Sequence, residues 1–456
     1  MARELLAGWG RTAPTSADVC RPPSNAAALA ALAAAPARGV IARGMGRSYG
    51  DAAQNAGGMV ISTAALSGIG WADEASGLVR AAGGASLGDV LGFLVPQGWV
   101  LPVVPGTRHV SVGGAVAGDV HGKNHEVDGS FAGHVVALTL ATPGGARRVT
   151  PGDDPDLFWA TAGGLGLTGL VLEATLRAVR VESASVRVVT RRAGGIDGVM
   201  AALDAGHGRH RYAVAWLDGL ARGAALGRGL VSWGDHAGVA DLPAARRAEP
   251  LALGPARSVA VPAWWPGSPM PVPAVAALNE LRFCRGPDVE TTSVEPLDRF
   301  LFPLDAVDGW NRLYGRAGFV QYQFVVPFSA GDVVARSLDR LRAVGCPPLL
   351  AVLKRLGTAD AGPLSFPMPG WTLAVDFPAS LAGLASVLDE LDELVAGAGG
   401  RVYLAKDARM RPELLAVMYP ELDRWRARQR AVDPGGVLRS DLSRRLGLLG
   451  TIAGAG

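Results

Sequence analysis

Residues 104–125 read VPGTRHVSVGGAVAGDVHGKNH, a stretch that combines three histidines, one lysine and five glycines. A metal site, an anion-binding loop and a plain turn would each explain part of this composition. His121 and His125 are four residues apart, which is the spacing of two metal ligands on one face of a helix. However, Gly122 and Asn124 disfavour a helix at this point, and the stretch completes no HExxH motif. We therefore expect no metal site here, and the rest of the chain must decide between a binding loop and a turn.

The composition is that of a globular chain with room for two domains. The 456 residues are 49% hydrophobic and 19% charged. A net charge of +3 is too small to indicate a nucleic-acid partner. The three cysteines lack CxxC spacing, so they predict neither a disulfide framework nor a zinc site. The first residues lack the apolar core of a signal peptide, and no apolar run approaches the roughly 20 residues of a transmembrane helix.

Lysine is rare in this chain. Of 44 basic residues, only Lys123, Lys354 and Lys406 are lysine. A coding bias towards arginine explains the excess of that residue. A lysine that persists against this bias indicates a position that needs a compact charge or an amine with a shiftable pKa. We expect at least two of the three lysines to lie in an active site.

The pattern of helices and strands changes near residue 184. Before it, predicted helices at 25–35 and 86–98 alternate with short strands and glycine-rich loops. After it, long strands such as FVQYQFVVP (319–327) are separated by amphipathic helices, which predicts an α+β domain with an antiparallel sheet.

Residues 254–272 carry five prolines and the pair Trp264–Trp265. They show no periodic pattern and predict a loop rather than a regular element. Aromatic side chains of this kind suit a bilayer interface, so we expect a mobile lid with a membrane-facing role.

Glycine-rich segments offer two kinds of nucleotide site. Residues 164–169 match GxGxxG, but a helical pattern precedes them and a strand follows, which is the reverse of the order that a Rossmann site needs. Segments 43–51 and 106–121 each join β-type runs, and successive backbone N–H groups in such turns bind anions such as a pyrophosphate.

Three segments carry a family resemblance: RGMGRSYGDAAQN (43–55), PVVPGTRHVSVGGAVAGDVHGKNH (102–125) and LFWATAGGLGLTG (157–169). They closely resemble the flavoprotein oxidoreductases of the vanillyl-alcohol-oxidase type, and within that type the oxidases of polyprenyl-phosphoryl-ribose. The resemblance runs nearly end to end and includes WNRLYGRAGFVQYQFVVP (310–327) and VYLAKDAR (402–409). HGKNH and QYQF together are its most specific motifs.

The resemblance implies an α+β, two-domain fold of the vanillyl-alcohol-oxidase type. Residues 1–183 would form the N-terminal part of an FAD-binding domain, and residues 401–456 would complete it as a C-terminal tail. Residues 184–400 would form an inserted substrate-binding domain on an antiparallel sheet. The change of pattern near residue 184 supports this division independently.

The resemblance also implies a set of site residues. FAD would be lined by Arg43, Gly44, Met45, Gly46, Arg47, Ser48, Tyr49, Gly106, Ser111, Val112, Gly113, Gly114, Gly118, His121 and Tyr403. Substrate would be bound by Lys123, Arg312, Gln321, Gln323, Lys354 and Ala374. Candidates for the catalytic base are Lys406, Tyr49 and His121, and the sequence does not choose between them. For Lys406 the preferred role is instead to stabilise negative charge on the reduced flavin.

Three positions depart from relatives. In several relatives a histidine of the first loop is covalently bonded to the flavin. Arg47 occupies that position here, so we expect the FAD to be bound non-covalently. Ala374 occupies a position where mycobacterial members carry cysteine, and Leu301 replaces a common aromatic residue. These differences alter the shape of the expected pocket and leave the reaction in place.

The implied reaction is oxidation of the ribose 2-hydroxyl of decaprenylphosphoryl-β-D-ribofuranose, or a similar polyprenyl lipid, to a ketone. An NAD(P)H-dependent reductase partner would complete the epimerisation to an arabinose donor for cell-wall arabinan in actinobacteria. Quinone or O2 would accept the electrons, and the enzyme would lie as a peripheral membrane protein at the periplasmic face of the cell envelope. Two alternatives remain: an alditol or aldonolactone oxidase of the same superfamily, and a non-catalytic FAD-binding scaffold.

Overall fold

The computed structural model describes residues 1–254, 258–262, 264–265 and 267–450. The helices within these residues are α1 (Asn25–Ala33), α2 (Leu87–Leu94), α3 (Val112–Ala117), α4 (His125–Asp128), α5 (Pro155–Thr161), α6 (Ile196–Ala205), α7 (Val272–Arg285), α8 (Leu297–Leu301), α9 (Asp332–Ala343), α10 (Leu384–Gly397), α11 (Leu415–Met418), α12 (Leu422–Val432) and α13 (Asp441–Arg445).

Two sheets organise the N-terminal region. Its strands are β1 (Ala2–Leu6), β2 (Thr15–Cys20), β3 (Val40–Arg43), β4 (Met59–Ser62), β5 (Ile69–Asp73), β6 (Leu78–Ala82), β7 (Trp99–Val100), β8 (Val135–Thr142), β9 (Gly145–Val149), β10 (Leu170–Arg177) and β11 (Val179–Arg180). The first sheet has the order β1-β2-β4-β3, with β2, β4 and β3 parallel, and the second is antiparallel in the order β5-β6-β10-β8-β9.

Strands between residues 185 and 402 form one antiparallel sheet of eight strands, which confirms the antiparallel sheet predicted after residue 184. The remaining strands are β12 (Ser185–Ala193), β13 (Tyr212–Leu217), β14 (Gly229–His236), β15 (Val259–Ala260), β16 (Thr291–Pro296), β17 (Val307–Asp308), β18 (Phe319–Val326), β19 (Leu350–Leu356), β20 (Gly370–Pro378) and β21 (Arg401–Val402). The order is β16-β12-β14-β13-β19-β20-β18-β21. One face packs against α6, α9 and α10 in a buried apolar core, which leaves the other face for the site.

The C-terminal tail returns to the N-terminal region. The Val40 N–H donates to the Val437 carbonyl at 2.8 Å, and the Arg439 N–H donates to the Val40 carbonyl at 2.9 Å. The fully buried Trp425 indole donates to the Ala160 carbonyl at 2.9 Å. The predicted division at 183/184 falls between β11 and β12, and the one at 400/401 falls directly before β21, which still pairs with β18. The domain limits themselves stay a prediction.

Local sequence signals locate the first two helices. Ser24 accepts a hydrogen bond from the Ala27 N–H at 3.2 Å and caps α1, and Ser86 caps α2 through Asp89. The predicted helices over 25–35 and 86–98 are therefore confirmed, although the last turn of the second is a 3₁₀ turn.

Segment 106–121 differs from its prediction, because it contains helix α3 rather than a simple turn between β runs. Two glycines in VGGAVA give this helix a low intrinsic propensity. Tertiary contacts compensate for it: Ser111 caps the helix, and the N–H groups of Val112 and Gly113 donate to the carbonyls of Ala85 and Gly83, each at 2.8 Å.

The proline-rich segment is only partly described, since residues 255–257, 263 and 266 of the predicted lid lie outside the described residues. Its described part contains the short strand β15, which pairs in parallel with β17, where only a loop was expected. Trp264 is 79% exposed. Mobility and a membrane-facing role for this segment stay predictions.

Candidate active site

A cavity of about 590 Å³ lies between the loops of the N-terminal region and the free face of the eight-stranded sheet. Most of the predicted site residues line it. They are Gly44, Met45, Gly46, Arg47, Ser48, Tyr49, Gly106, Ser111, Gly113, Gly114, Gly118, His121, Lys123, Gln321, Gln323, Lys354, Ala374, Tyr403 and Lys406.

Three predicted residues do not line the cavity, and their contact with a ligand stays a prediction. The Arg43 guanidinium donates to the carbonyls of Ala7 and Ala53, at 2.7 and 3.1 Å, and so fixes backbone. Val112 is fully buried in the apolar core beneath α3. Arg312 donates to the Val261 carbonyl at 2.8 Å and connects its segment to the proline-rich one. Direct contact with a ligand is not supported for any of them.

Loop 44–49 is held so that it presents unpaired N–H groups. Residues 9–10 donate their N–H groups to the carbonyls of Ser48 and Tyr49, at 2.8 and 3.1 Å, and the Tyr49 N–H donates to the Ala405 carbonyl at 3.1 Å. Within the described chain, the backbone N–H groups of residues 45–48 donate to no protein acceptor. Consecutive free N–H groups of this kind form an anion-binding nest.

The second glycine-rich loop lies directly against the first. A Cβ on Gly44 would lie 2.0 Å from the Ser111 Oγ that caps α3, and a Cβ on Gly113 would lie 3.0 Å from the Gly83 carbonyl oxygen. Gly106 faces open space, with nothing within 4 Å of its Cβ position. Gly44 and Gly113 thus let these backbone segments pack closely, and the open space at Gly106 together with the nest forms a backbone cradle that fits the pyrophosphate and adjoining groups of a dinucleotide such as FAD.

The GxGxxG segment contributes to the same cavity without a Rossmann arrangement. Helix α5 precedes it and strand β10 follows, as the sequence indicated, and Gly166 and Gly169 line the cavity. A Cβ on Gly169 would lie 2.9 Å from the Ala141 carbonyl oxygen, so the backbone passes close to the neighbouring strand.

His121 is a buried, neutral imidazole with a fixed tautomer. Gln323 Nε2 lies 3.0 Å from His121 Nε2 and also donates to Thr372 Oγ1 at 3.0 Å. With Gln323 as donor, His121 Nε2 is an acceptor and the ring proton is on Nδ1, which has no partner among the described residues. Burial, and next the charge of Lys354, hold the pKa of His121 well below its ordinary value. The ring therefore offers one unused N–H donor at the cavity wall.

All three lysines of the chain line this one cavity. Burial lowers the pKa of each ammonium, to about 7 for Lys123 and Lys354 and to about 8 for Lys406. The charges of Lys406 and Lys123 contribute to the shift at Lys354, whereas Asp376 opposes the shift at Lys406.

The lysines differ in what they contact. The Lys123 ammonium donates to the carbonyls of Phe300 and Leu301 and so anchors α8. Lys354 makes one long hydrogen bond of 3.4 Å to the Gly122 carbonyl. The Lys406 Nζ lies 5.3 Å from the centre of the Tyr49 ring. Lys354 and Lys406 are therefore the two lysines with free capacity towards a ligand.

The structure adds Asp376, which the sequence-based prediction missed. Its buried carboxylate accepts hydrogen bonds from Gln321 Nε2 at 2.5 Å and from the Tyr314 hydroxyl at 3.3 Å. Burial raises its pKa to about 6. It follows Ala374 by two residues on β20, so the alternation of the strand was a signal that could have found it.

Phe366 was also missed, and it belongs to an aromatic cluster behind the site. Its ring stacks on Tyr403 with centroids 4.7 Å apart and lies 5.4 Å from His121. The Tyr403 hydroxyl donates to the Gly118 carbonyl at 2.6 Å. This cluster fixes the tail against the glycine-rich loop.

No group of three His, Cys, Asp or Glu side chains in the described part of the chain is arranged to hold a metal ion. Likewise, no helix in that part is long and apolar enough to cross a membrane.

Comparison with known proteins agrees with the geometry. Residues 17–150 match the family model described as FAD binding domain. The decaprenylphosphoryl-beta-D-ribose oxidase of Mycolicibacterium smegmatis is 42% identical over 450 residues, which cover 97% of this chain and 97% of that protein. An uncharacterized protein in the mprA 5′ region of Streptomyces coelicolor is 44% identical over 363 residues, or 78% of this chain and 98% of that protein. An alditol oxidase of a Streptomyces species is 28% identical over 173 residues, 38% of this chain and 41% of that protein.

Proposed function

Because this chain belongs to the decaprenylphosphoryl-β-D-ribose oxidase family of FAD-dependent oxidoreductases, we propose that it oxidises the ribose 2-hydroxyl of a polyprenyl-phosphoryl-ribofuranose to a ketone. One observation carries the proposal. The three lysines of the chain line one cavity together with the backbone cradle that fits FAD. Such a cavity can hold a phosphorylated sugar on one side and the cofactor on the other.

FAD, when bound, supplies the acceptor for the hydride that leaves C2 of the ribose. Its pyrophosphate would be held by the free N–H groups before Tyr49, and the open space at Gly106 would leave room for the adjoining groups. His121 Nδ1 and Tyr403 would line the same group from the other loop and the tail. The residues of this chain position the substrate and accept the proton of its hydroxyl group.

The pKa shifts separate the three candidates for the base. Burial, and next Asp376, raise the pKa of Tyr49 above its ordinary value, so its phenol stays protonated. The lowered pKa of His121 makes the ring a weak base. Lys406, with a pKa of about 8, has an appreciable neutral fraction near neutral pH and is the base we propose. After it takes the hydroxyl proton, the ammonium remains in the cavity and offsets the negative charge that reduction adds.

Substrate would be oriented by its phosphate and its sugar hydroxyls. Lys354 has free hydrogen-bonding capacity and would bind the phosphate, while Lys123 holds Phe300 and Leu301 in the wall. Gln321 and Gln323 lie on one face of β18, and Asp376 fixes the amide of Gln321. We propose that these two amides orient the ribose.

The test of the activity is the flavin absorbance under anaerobic conditions. Farnesylphosphoryl-β-D-ribose should bleach it, and xylitol and gulonolactone should not. Bleaching by xylitol or gulonolactone alone would favour the alditol or aldonolactone oxidase, and no bleaching by any of the three would favour the scaffold. The limited similarity to the alditol oxidase, 38% of this chain, supports the lipid-linked substrate.

The pH dependence of cofactor reduction follows from Lys406. At saturating substrate the single-turnover rate should rise with pH through about 8, because only the neutral amine accepts the hydroxyl proton. Stopped-flow measurement across this range checks it. KM should instead rise as Lys354, with a pKa of about 7, loses its proton and its attraction for phosphate. A rate that is flat or falls with rising pH would contradict the assignment.

The cofactor should be bound without a covalent bond. Arg47 lies with its guanidinium carbon 3.8 Å from the centre of the Trp9 ring, and it cannot form the link that histidine makes in relatives. Acid precipitation should leave yellow FAD in the supernatant and a colourless pellet. Flavin fluorescence in the protein band of a denaturing gel would refute this prediction.

The wider setting of the reaction is also a proposal. We infer a reductase partner that uses NAD(P)H, a quinone or O2 as electron acceptor, and a peripheral place at the cell envelope, in cell-wall arabinan synthesis. A ketone that is the product of the first half-reaction requires a hydride donor to complete an epimerisation. The lipid-linked substrate favours a surface of the enzyme that contacts a membrane.

A further inference from the structure

The floor of the cavity is one row of side chains that crosses five strands of the large sheet. Leu230 pairs with Trp216, Trp216 with Val352, Val352 with Ala374, and Ala374 with Gln323. All five line the cavity. With four strand spacings of about 4.8 Å, the row is about 19 Å long.

The chemistry of the row changes along its length. Gln323 lies at the end near His121, and Lys354 follows Val352 on the same face of β19. Beyond Lys354 the floor is mainly apolar: Val352, Trp216, Leu230 and the adjacent Val214 form what we call the outer arm, and Ser232 is the polar residue next to it. A phosphate at Lys354 would therefore have the sugar on one side and an apolar channel on the other.

The outer arm faces open space rather than packed protein. Val352 and Leu230 are only partly buried, whereas their chain neighbours Leu353 and Val231, on the opposite face, are fully buried in the helix-covered core. An apolar floor that borders an open cavity favours an apolar ligand over water. Nothing in the proton or hydride chemistry requires this part of the cavity.

Helix α7 covers the far end of the outer arm. The Arg282 guanidinium carbon lies 4.5 Å from the centre of the Trp216 ring, and Arg282 itself is an exposed residue of the cavity wall. On the outside of α7, Leu278 and Leu281 are 55% and 47% exposed. Arg285 follows Leu281 by four residues and so lies on the same side of the helix, whereas the Arg282 guanidinium is directed towards Trp216.

We propose that the outer arm holds the first isoprene units of the lipid substrate, and that the chain leaves beneath α7 into an anionic bilayer on which Leu278 and Leu281 rest. The inference rests on the proposed function, since it assigns the lipid part of that substrate. A bilayer is the occupant because the channel that begins at the phosphate site ends at this surface. Arg285, exposed beside the leucines, matches anionic headgroups, as in helices that lie at a membrane interface.

The channel is tested with a series of substrates that differ only in prenyl length. In the wild type, kcat/KM should rise from the dimethylallyl to the farnesyl phosphoryl-ribose. Leu230→Trp, which fills the far end of the outer arm, should lower kcat/KM for the farnesyl substrate by roughly tenfold or more and leave the dimethylallyl substrate nearly unchanged. Equal losses on both substrates would overturn the assignment. Failure of every phosphoryl-ribose to bleach the flavin would instead refute the proposed function.

The surface is tested with vesicles of phosphatidylcholine and phosphatidylglycerol. Leu278→Asp with Leu281→Asp should abolish co-sedimentation. A matched pair, Leu5→Asp with Val417→Asp, changes residues that are 71% and 62% exposed on β1 and α11 and should sediment like the wild type. Arg285→Gln should weaken binding to these vesicles and not to phosphatidylcholine alone. If Leu278→Asp with Leu281→Asp sediments with vesicles like the wild type, the proposal is overturned. It is also overturned if sedimentation velocity shows that the wild type is a dimer and that this leucine variant is a monomer.

Discussion

Lys406→Met should reduce the rate of flavin reduction about 10²–10³-fold, the usual effect of removing a charged group that stabilises a transition state. The side chain lines the cavity beside Tyr49, burial lowers its pKa to about 8, and Asp376 opposes the shift. Methionine has similar length but can neither take a proton nor carry the charge. Single-turnover reduction by farnesylphosphoryl-ribose measures the effect in protein that retains FAD.

Lys406→Arg distinguishes charge from proton transfer. A guanidinium keeps the positive charge, but it is bulkier and does not release its proton. If Lys406 is the base, the arginine variant should be as slow as the methionine variant and should lack the rise in rate through about pH 8. Near-wild-type reduction by the arginine variant would leave charge alone as its role. Near-wild-type reduction by the methionine variant would remove Lys406 from the mechanism.

Lys354→Met should raise the KM for the phosphorylated substrate by roughly 10–150-fold, because a hydrogen bond to a charged group contributes about 1.5–3 kcal/mol. Lys354 makes only a 3.4 Å bond to the Gly122 carbonyl, so its ammonium is available for a phosphate. The rate at saturating substrate should fall much less, since the base is elsewhere.

Lys406→Met and Lys354→Met serve as controls for each other. Both remove a buried lysine from the same cavity, so a general loss of packing would affect KM and rate alike in both. Lys354→Arg should recover part of the affinity, because arginine also binds phosphate. A KM unchanged in Lys354→Met would place the phosphate elsewhere in the cavity. A large fall in rate at an unchanged KM would make Lys354 part of the proton chemistry instead.

Much of the site could be predicted from local sequence. Glycines in segments 43–51 and 106–121 indicated backbone that approaches an anion, and the structure shows free N–H groups in the first and a close backbone contact at Gly113 in the second. The rarity of lysine indicated an active site before any geometry was known, and all three lysines line one cavity. These signals are local because the backbone conformation of glycine and the chemistry of an amine are properties of single residues.

Other features depended on contacts between distant residues. Helix α3 has two glycines and little intrinsic propensity, and it forms because Ser111, Gly83 and Ala85 satisfy its first N–H groups. Arg43 and Arg312 were predicted to contact ligands, yet Arg43 donates a hydrogen bond to the Ala7 carbonyl and Arg312 donates one to the Val261 carbonyl. A polar side chain in a motif has several partners within reach, and only the folded backbone determines which one it meets.

By itself, the sequence determined the antiparallel α+β region, the anion-binding glycine loops and the set of lysines, because these follow from backbone geometry, period and residue chemistry; the family resemblance added FAD. Only the tertiary structure placed Asp376 behind Gln321 and aligned Leu230, Trp216 and Val352 with Ala374 and Gln323 as one floor. The physical reason is strand register. Each strand fixes which of its own residues share a face, but the pairing between strands far apart in sequence decides which of those faces form a continuous surface.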